Sequence, residues 1–147
     1  MGWLDELRGG TVAIDTAPLI YFMQEHPRYL PIVRPFFEAL DRGDFEAVTS
    51  TITLLEVLVH PLRTGDLLLS ERYRDILCHA RHLTLVDVTR PVSEEAARLR
   101  ANTQLRTPDA LQLATALNQH ADVFVTNDAR LPSVDGICTL VLDHMAL

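Results

Sequence analysis

RTPDALQLATALNQHADVFVTNDAR, residues 106–130, carries the strongest structural signals in the chain. Its first part predicts a helix, because Thr107 is suited to cap a helix, Pro108 to its first position and Asp109 to its first turn, where amide dipoles favour negative charge. Leucine and alanine residues then recur at helical spacing as an apolar stripe. The run DVFVT, residues 122–126, is β-branched and aromatic, which is typical of a buried parallel strand. The stretch therefore predicts a helix that leads into a core strand.

The same alternation of strand and helix patterns runs through the rest of the chain. Short apolar runs predict strands at residues 11–14, 45–49, 83–88, 122–126 and 137–142. Amphipathic segments predict helices at residues 16–24, 33–40, 51–61 and 66–81, from Ser93 onward, and at 107–118. Alternating strands and helices imply βαβ units, so we expect a three-layer α/β/α sandwich with a mainly parallel sheet of about five strands.

Local signals also predict where individual elements begin and end. Pro61 is expected to end the helix of residues 51–61, because proline lacks the amide hydrogen that continues a helix. Ser93 is expected to cap the helix after the third strand. Residues 3–7, which precede a pair of glycines, predict a short amphipathic turn that packs on the surface as an appendage.

Composition limits the class of protein. The chain has 147 residues, 48% of them hydrophobic, which predicts a single domain over residues 1–147 with its core at about 11–142 and a short extension at 1–10. The formal net charge is −7, and all 13 bases are arginine. Such a protein lacks broad attraction for phosphate backbones, which argues against a general DNA-coating role. Two cysteines, no recognisable leader and no membrane-length apolar stretch predict a reduced, cytoplasmic protein with no membrane association.

Four carboxylates are predicted to meet at one edge of the sheet. Asp15 and Asp128 follow strands, while Asp109 starts a helix. Glu56 lies in the second turn of a helix that follows a strand, and strands end where helices begin in right-handed βαβ units. Two such charges about 5 Å apart repel by roughly 3 kcal/mol at an effective dielectric near 20, so the group requires a cation or protons. Hard oxygen ligands favour Mg²⁺ or Mn²⁺.

The residues around these acids resemble the PIN-domain nucleases, especially the VapC-type toxins of type II toxin–antitoxin systems. The matching stretches are VAIDTAPLIYF around Asp15, STITLLEVL around Glu56, TPDALQLATAL around Asp109 and VFVTNDARL around Asp128. They occur in the order found in that family, and the resemblance covers about residues 12–142.

The resemblance implies a ribonuclease that depends on a divalent metal and hydrolyses RNA phosphodiester bonds. The implied catalytic acids, which would hold Mg²⁺ or Mn²⁺, are Asp15, Glu56, Asp109 and Asp128. Thr126 and Asn127 look like supporting groups that orient the last aspartate. For a toxin, the resemblance also implies a homodimer and an antitoxin protein that could place a basic residue in the acidic pocket.

Two arginines flank the acidic stretch. Arg106 and Arg130 are candidates for contacts with substrate phosphates, although arginines near helix ends also commonly pair with neighbouring carboxylates or face solvent. The sequence alone is compatible with both phosphate binding and pairing with carboxylates or solvent.

Other interpretations of the same residues remain open. Each acid taken singly is also explained as a turn residue, a dipole partner or a solvated helix position. A PIN-like fold that binds RNA or protein without cutting is a second possibility. A metal-dependent phosphatase of similar fold is a third, but Ala17 stands where such a site would want a second aspartate, and the chain has no lysine. Cys78, His79 and His82 suggest zinc, yet a fourth ligand at suitable spacing is absent from the sequence.

Overall fold

The computed structural model describes residues 2–145. The elements in chain order are α1 (Trp3–Leu7), β1 (Thr11–Ile14), α2 (Thr16–Met23), α3 (Leu30–Arg42), β2 (Glu46–Ser50), α4 (Thr51–Thr64), α5 (Leu67–His79), β3 (Leu83–Val86), α6 (Arg90–Ala101), α7 (Thr107–Asn118), β4 (Val123–Thr126) and β5 (Cys138–Val141). A short 3-10 turn, Leu142–His144, follows β5.

The sheet is parallel throughout, in the order β3-β2-β1-β4-β5. Strand β1 lies in the middle, where Ala13 is in register with Val48 of β2 on one side and with Phe124 of β4 on the other. The chain moves outward from β1 to β3 and then returns to build β4 and β5 on the opposite side. This reversal makes the carboxyl ends of β1 and β4 a topological switch point, the usual place for a site in such sheets.

Helices cover both faces of the sheet, which confirms the three-layer architecture. Successive residues of β1 point to opposite sides, so Val12 belongs to the core beneath α2, α3 and α5, whereas Ala13 belongs to the core beneath α6 and α7. Strand β4 alternates in the same way, with Phe124 and Val125 on opposite faces. Aromatic residues concentrate in the first core, where Phe36 packs against Phe45 with ring centroids 5.0 Å apart.

The N-terminal segment is part of the first core, so the expectation of a surface appendage is wrong. Leu7 of α1 is only 3% exposed, and Trp3 stacks on Phe36 with a centroid separation of 5.7 Å. A five-residue helix is too short to be stable alone, so this packing is what orders it.

Several helix boundaries also differ from expectation, among them those of α3, which was expected over residues 33–40 and runs from Leu30 to Arg42. Helix α4 continues through the buried Pro61 to Thr64 and ends at Gly65, whose φ of 74° is the left-handed conformation that favours glycine. Helix α6 begins at Arg90 rather than after Ser93, because the Thr89 hydroxyl accepts from an amide of the first turn.

The start of α7 differs by a single residue. Arg106 is the cap position, and Thr107 is already helical. The Thr107 hydroxyl accepts a hydrogen bond from Arg100 at 3.0 Å rather than capping the helix. Within residues 2–145, no helix combines the length and the apolar character that crossing a membrane requires.

Leu7 offers a test of the N-terminal packing. Leu7→Ala is expected to reduce the free energy of unfolding by about 2–5 kcal/mol, because it removes a buried side chain and leaves a cavity. Glu94→Ala truncates a side chain at an exposed position of α6, where an effect within about 0.5 kcal/mol is expected. Urea unfolding measures both, and equal values for the two variants would contradict the assignment of α1 to the core.

Candidate metal centre

A cleft of about 490 Å³ opens at the carboxyl edge of the sheet, beside the ends of β1 and β4. All eight residues singled out in the sequence line this one cleft: Asp15, Glu56, Arg106, Asp109, Thr126, Asn127, Asp128 and Arg130. They come from two strand ends, two helices and the loop after β4. The topology therefore brings together residues that are more than one hundred positions apart in the chain.

Asp15 is the most firmly fixed of the four acids. It follows β1 directly and caps α2, and its Oδ1 accepts a hydrogen bond of 2.8 Å from the amide of Thr16. Its Oδ2 accepts one of 2.7 Å from the hydroxyl of Thr126. Burial raises the pKa of Asp15, the two hydrogen bonds oppose that rise, and the negative charges of Asp109 and Glu56 add to it. A cation in the cleft would offset the cost of burying the Asp15 charge and would reduce its repulsion with Asp109 and Glu56.

Glu56 reaches the cleft from α4. Ser50, the last residue of β2, accepts from the amide of Ile52 and so starts this helix at the edge of the sheet. The second turn then carries Glu56, whose Oε1 accepts a hydrogen bond of 2.6 Å from the hydroxyl of Thr16. The residue after Asp15 therefore orients the glutamate.

Asp109 lies in the first turn of α7, as expected. Its Oδ2 lies 3.2 Å from Nε of Arg106, which is the cap residue of the same helix. The Arg106 side chain is 75% exposed, so this ion pair is a surface contact of small energy. Asp109 is therefore held by a partner that can leave at little cost.

Asp128 follows β4 and is paired in the same manner. Its Oδ1 accepts 2.9 Å and 3.1 Å hydrogen bonds from the amide and Nε of Arg130. The hydrogen bonds from Arg130, followed by its charge, lower the pKa of Asp128. The Arg130 side chain is 87% exposed, so it too is free to turn away into solvent.

Thr126 and Asn127, the two predicted supporting residues, make different contacts. Thr126 is fully buried; it donates to Asp15 and accepts from the amide of Asp128 at 3.1 Å, so it links both acids. The Asn127 side chain donates to the hydroxyl of Tyr21 at 3.2 Å and accepts from the amide of Asp143. Asn127 thus connects Tyr21, in the wall of the cleft, to the turn that follows β5. Its side-chain hydrogen bonds do not go to Asp128.

A set of buried polar residues beneath the acids was not predicted from the sequence. Gln112 of α7 is 3% exposed, and its Nε2 donates to the hydroxyls of Thr53, at 2.8 Å, and Thr16, at 3.3 Å. Thr49 completes the set through Thr53, from which its hydroxyl lies 2.9 Å away. One signal was available in the sequence, since Gln112 is a polar residue within the apolar stripe of α7.

The donor chemistry fits a hard divalent cation, but the ligand atoms do not converge on one point. Within residues 2–145, no three His, Cys, Asp or Glu side chains form a group that could hold a metal ion as they stand. Two of the four acids instead face Arg106 and Arg130. In the set considered for zinc, His79 pairs with Asp75 and His82 with Glu46.

A second cavity of about 500 Å³ lies beside the acid cleft. The two cavities share Arg106, Asp109, Asp128 and Arg130, and the second is also lined by Asn102, Thr103, Gln104, Leu105, Leu131 and Pro132. Together they provide room beside the acids for a substrate larger than a single phosphate group.

A model of the PIN domain matches residues 12–137. The chain therefore belongs to the PIN domain family, which confirms the resemblance seen in the four motifs. No match exists among curated protein sequences.

Solved structures of toxin–antitoxin proteins share this fold. The structure of VapBC2 from Rickettsia felis, bound to a promoter DNA fragment, matches with a TM-score of 0.70 and 17% identity, over 89% of this chain and 98% of that one. A toxin–antitoxin complex from Klebsiella pneumoniae matches with a TM-score of 0.66 and 22% identity, over 87% and 96%. VapC20 of Mycobacterium tuberculosis, a toxin that cleaves the sarcin–ricin loop, matches with a TM-score of 0.63 and 13% identity, over 77% and 86%.

Removal of the Arg130 side chain tests its contact with Asp128. Arg130→Gln is expected to raise the pKa of Asp128 towards its ordinary value of 3.8. A carboxyl whose pKa is lowered by folding stabilises the protein above its unfolded pKa, at about pH 4, and loses that contribution as pH falls through the folded pKa. The variant should therefore be slightly less stable at neutral pH, and the difference should vanish in acid.

NMR titration of the side-chain carboxyl carbons measures this pKa. Arg74→Gln removes an ion pair with Glu71 elsewhere on the surface, so it should leave Asp128 unchanged. An Asp128 that titrates identically in wild type and Arg130→Gln would rule out the contact in solution.

Proposed function

We propose that this protein is a divalent-metal-dependent endoribonuclease, and that it is the toxin of a toxin–antitoxin pair. The observation that carries the proposal is the meeting of four carboxylates from four separate elements in one cleft of a PIN-family fold. Stabilising the starts of helices requires no such convergence, and Glu56 in particular has no capping role. Concentrated acids at a switch point are a functional arrangement rather than a structural need.

In the proposed reaction, Asp15, Glu56, Asp109 and Asp128 are the metal ligands. Mg²⁺ or Mn²⁺ bound there would activate a water molecule and stabilise charge on the phosphate and the leaving oxygen. Asp15 supplies a ligand that is already fixed, since both of its oxygens accept hydrogen bonds from the protein. Glu56 is oriented by Thr16 in the same way.

Arg106 and Arg130 are proposed to bind substrate phosphates. Both line the cleft, both side chains are largely exposed, and each is paired with an acid through a single nitrogen of its guanidinium side chain. An acidic protein needs such local positive charge to approach RNA, because its overall field is repulsive. Release of these arginines from Asp109 and Asp128 would free the acids for a cation and the guanidinium groups for phosphate.

A module that binds RNA or protein without cutting is the second candidate. The lack of a converged metal group among residues 2–145 favours it, whereas the presence of all four acids favours the nuclease. A phosphatase is a weaker alternative, because Ala17 takes the place of the second aspartate and the sequence has no lysine to balance a phosphoaspartate.

Cleavage of RNA by the purified protein tests the proposal. A mixed pool of structured RNA with Mg²⁺ or Mn²⁺ should be cut, and EDTA should stop the cutting. Asp109→Asn is expected to lower the rate by about 100-fold or more, because a lost metal ligand removes several kcal/mol of transition-state stabilisation. Asp135→Asn, at an exposed loop position outside the cleft, is the matched control and should cut like wild type.

Equal cutting by wild type and Asp109→Asn would indicate a contaminating nuclease and would contradict the proposal. No cutting by wild type, together with no binding of Mn²⁺, would favour the binding module. No cutting with clear Mn²⁺ binding would point to a narrow RNA target, which a search over defined RNAs would then address.

The partners proposed with this function are an antitoxin protein and a second copy of the chain. The antitoxin is supported by the fold shared with toxin–antitoxin complexes and by an acidic cleft that suits a basic side chain. The homodimer is supported by large apolar side chains that are 59–69% exposed on α4 and the start of α5, namely Leu55, Leu62, Leu67 and Leu68. We also place the protein in the cytoplasm, where its RNA substrate would be and where the free Cys78 and Cys138 would stay reduced.

Sedimentation velocity tests the dimer. The wild-type protein is expected at twice the monomer mass, and the double variant Leu55→Glu with Leu62→Glu at the monomer mass, since two buried charges would oppose association. Ser133→Glu places the same charge on an exposed loop and should not change the mass. A monomeric wild-type protein at high concentration would exclude this part of the proposal while leaving the nuclease untouched.

A further inference from the structure

One arrangement of protons serves every contact among the buried polar residues beneath the acids except the 3.3 Å approach of the Thr16 and Thr53 hydroxyls, which competes for the Thr53 proton with the shorter contact to Thr49. A threonine hydroxyl has a single proton, and a carbonyl or an ionised carboxylate can only accept. The Thr49 hydroxyl lies 2.8 Å from the carbonyl of Ile14, so its proton is used there. The 2.9 Å contact between Thr49 and Thr53 must then be made with the proton of Thr53.

The amide of Gln112 determines the rest of the arrangement. Its Nε2 has two protons, and the two oxygens within reach are those of Thr53 and Thr16. With one proton given to each, the Thr16 oxygen accepts from Gln112. Its own proton is then directed to Oε1 of Glu56, at 2.6 Å.

The short contact at Glu56 is therefore the outer end of a chain that starts in the core. Gln112, Thr53 and Thr49 are all buried, and the part of the structure in residues 2–145 leaves no buried side-chain nitrogen or oxygen unpaired. Glu56 itself is on the exposed side of α4, where a long side chain would otherwise sample many rotamers. Thr16 is its one hydrogen-bond partner among the described residues.

We propose that Gln112 and Thr16 are positioning residues, which fix the Glu56 carboxylate as a preformed metal ligand through the directed hydrogen bonds from Gln112 to Thr16 and from Thr16 to Glu56. This inference rests on the proposed function, since it assigns to Glu56 the role of a ligand. It adds that the core of the protein, rather than the cleft alone, sets the affinity of the site. Groups that orient metal ligands in this way typically change metal affinity by about 10–100-fold when removed.

Binding of Mn²⁺ alone, measured by isothermal titration calorimetry, is the test. Thr16→Val keeps the shape of the side chain and removes the hydroxyl, so we expect Mn²⁺ affinity to fall by about 10-fold or more. Thr16→Ser restores the hydroxyl and should bind within about 3-fold of wild type. Gln112→Met keeps the volume but not the donors, and it should weaken binding in the same direction as Thr16→Val.

A matched control separates positioning from a general loss of buried polar groups. Thr115 is also buried on α7, and its hydroxyl donates only to the carbonyl of Leu111, one turn earlier. Thr115→Val therefore removes an equivalent hydroxyl that has no connection to Glu56. Its Mn²⁺ affinity should equal that of wild type, and circular dichroism should show all variants folded.

A double-mutant cycle decides whether Thr16 acts through Glu56. In the Glu56→Gln background, Thr16→Val should cause no further loss of Mn²⁺ affinity, since the group that it orients is gone. An equal loss in both backgrounds, or wild-type affinity in Thr16→Val, would overturn the inference and leave the proposed function intact. A wild-type protein that binds no Mn²⁺ would instead remove the proposed function, and this inference with it.

Discussion

Parallel pairing on both sides of β1 is the constraint on which the rest of the structure depends. Ala13 pairs with Val48 and Phe124, and the amide of Asp15 continues the ladder by donating to the carbonyl of Val125 at 2.9 Å. A central strand of this kind is buried on both faces, and after Thr11 its residues, Val12, Ala13 and Ile14, are all apolar. The next polar position is therefore at its carboxyl end, where strands end and helices start. Acids placed there can be numerous without disturbing the core.

Crowding negative charge at one edge has a cost, and the molecule offsets it in two ways. The Asp15 carboxylate accepts hydrogen bonds from uncharged donors, Thr16 and Thr126. Asp109 and Asp128 instead form ion pairs with the exposed side chains of Arg106 and Arg130. These uncharged donors orient the Asp15 carboxylate and leave it able to bind a cation, because a neutral hydroxyl interacts with a carboxylate less strongly than a cation does. The exposed arginines neutralise the charge of the other two acids. Asp15 and these two acids are thus stabilised by different kinds of group.

The fold and the residues of the cleft followed from the sequence because both depend on strong local patterns. Hydrophobic periodicity placed every strand, and the rule that parallel strands end at one edge brought Asp15, Asp109 and Asp128 together. Boundaries that depend on competition between signals were not predictable. Thr89 outcompeted Ser93 as a cap, and burial kept Pro61 inside α4 despite its missing amide. The hydrogen-bond partners of Gln112 could not be predicted either, because contacts between residues that are 59 and 96 positions apart leave no local pattern in the sequence.

Thr126 connects the ends of β1 and β4 through its hydroxyl group. The hydroxyl donates a hydrogen bond to the Asp15 carboxylate and accepts one from the amide of Asp128. Thr126 therefore links the Asp15 carboxylate to the backbone of Asp128, while the loop that follows holds the Asp128 carboxylate through Arg130. Leu131 and Pro132 line the neighbouring cavity, whereas the hydrogen bonds to the two carboxylates come from Thr16, Thr126 and Arg130. Changes at Leu131 and Pro132 can therefore alter the shape of the cavity while the groups that hold the two acids stay in place.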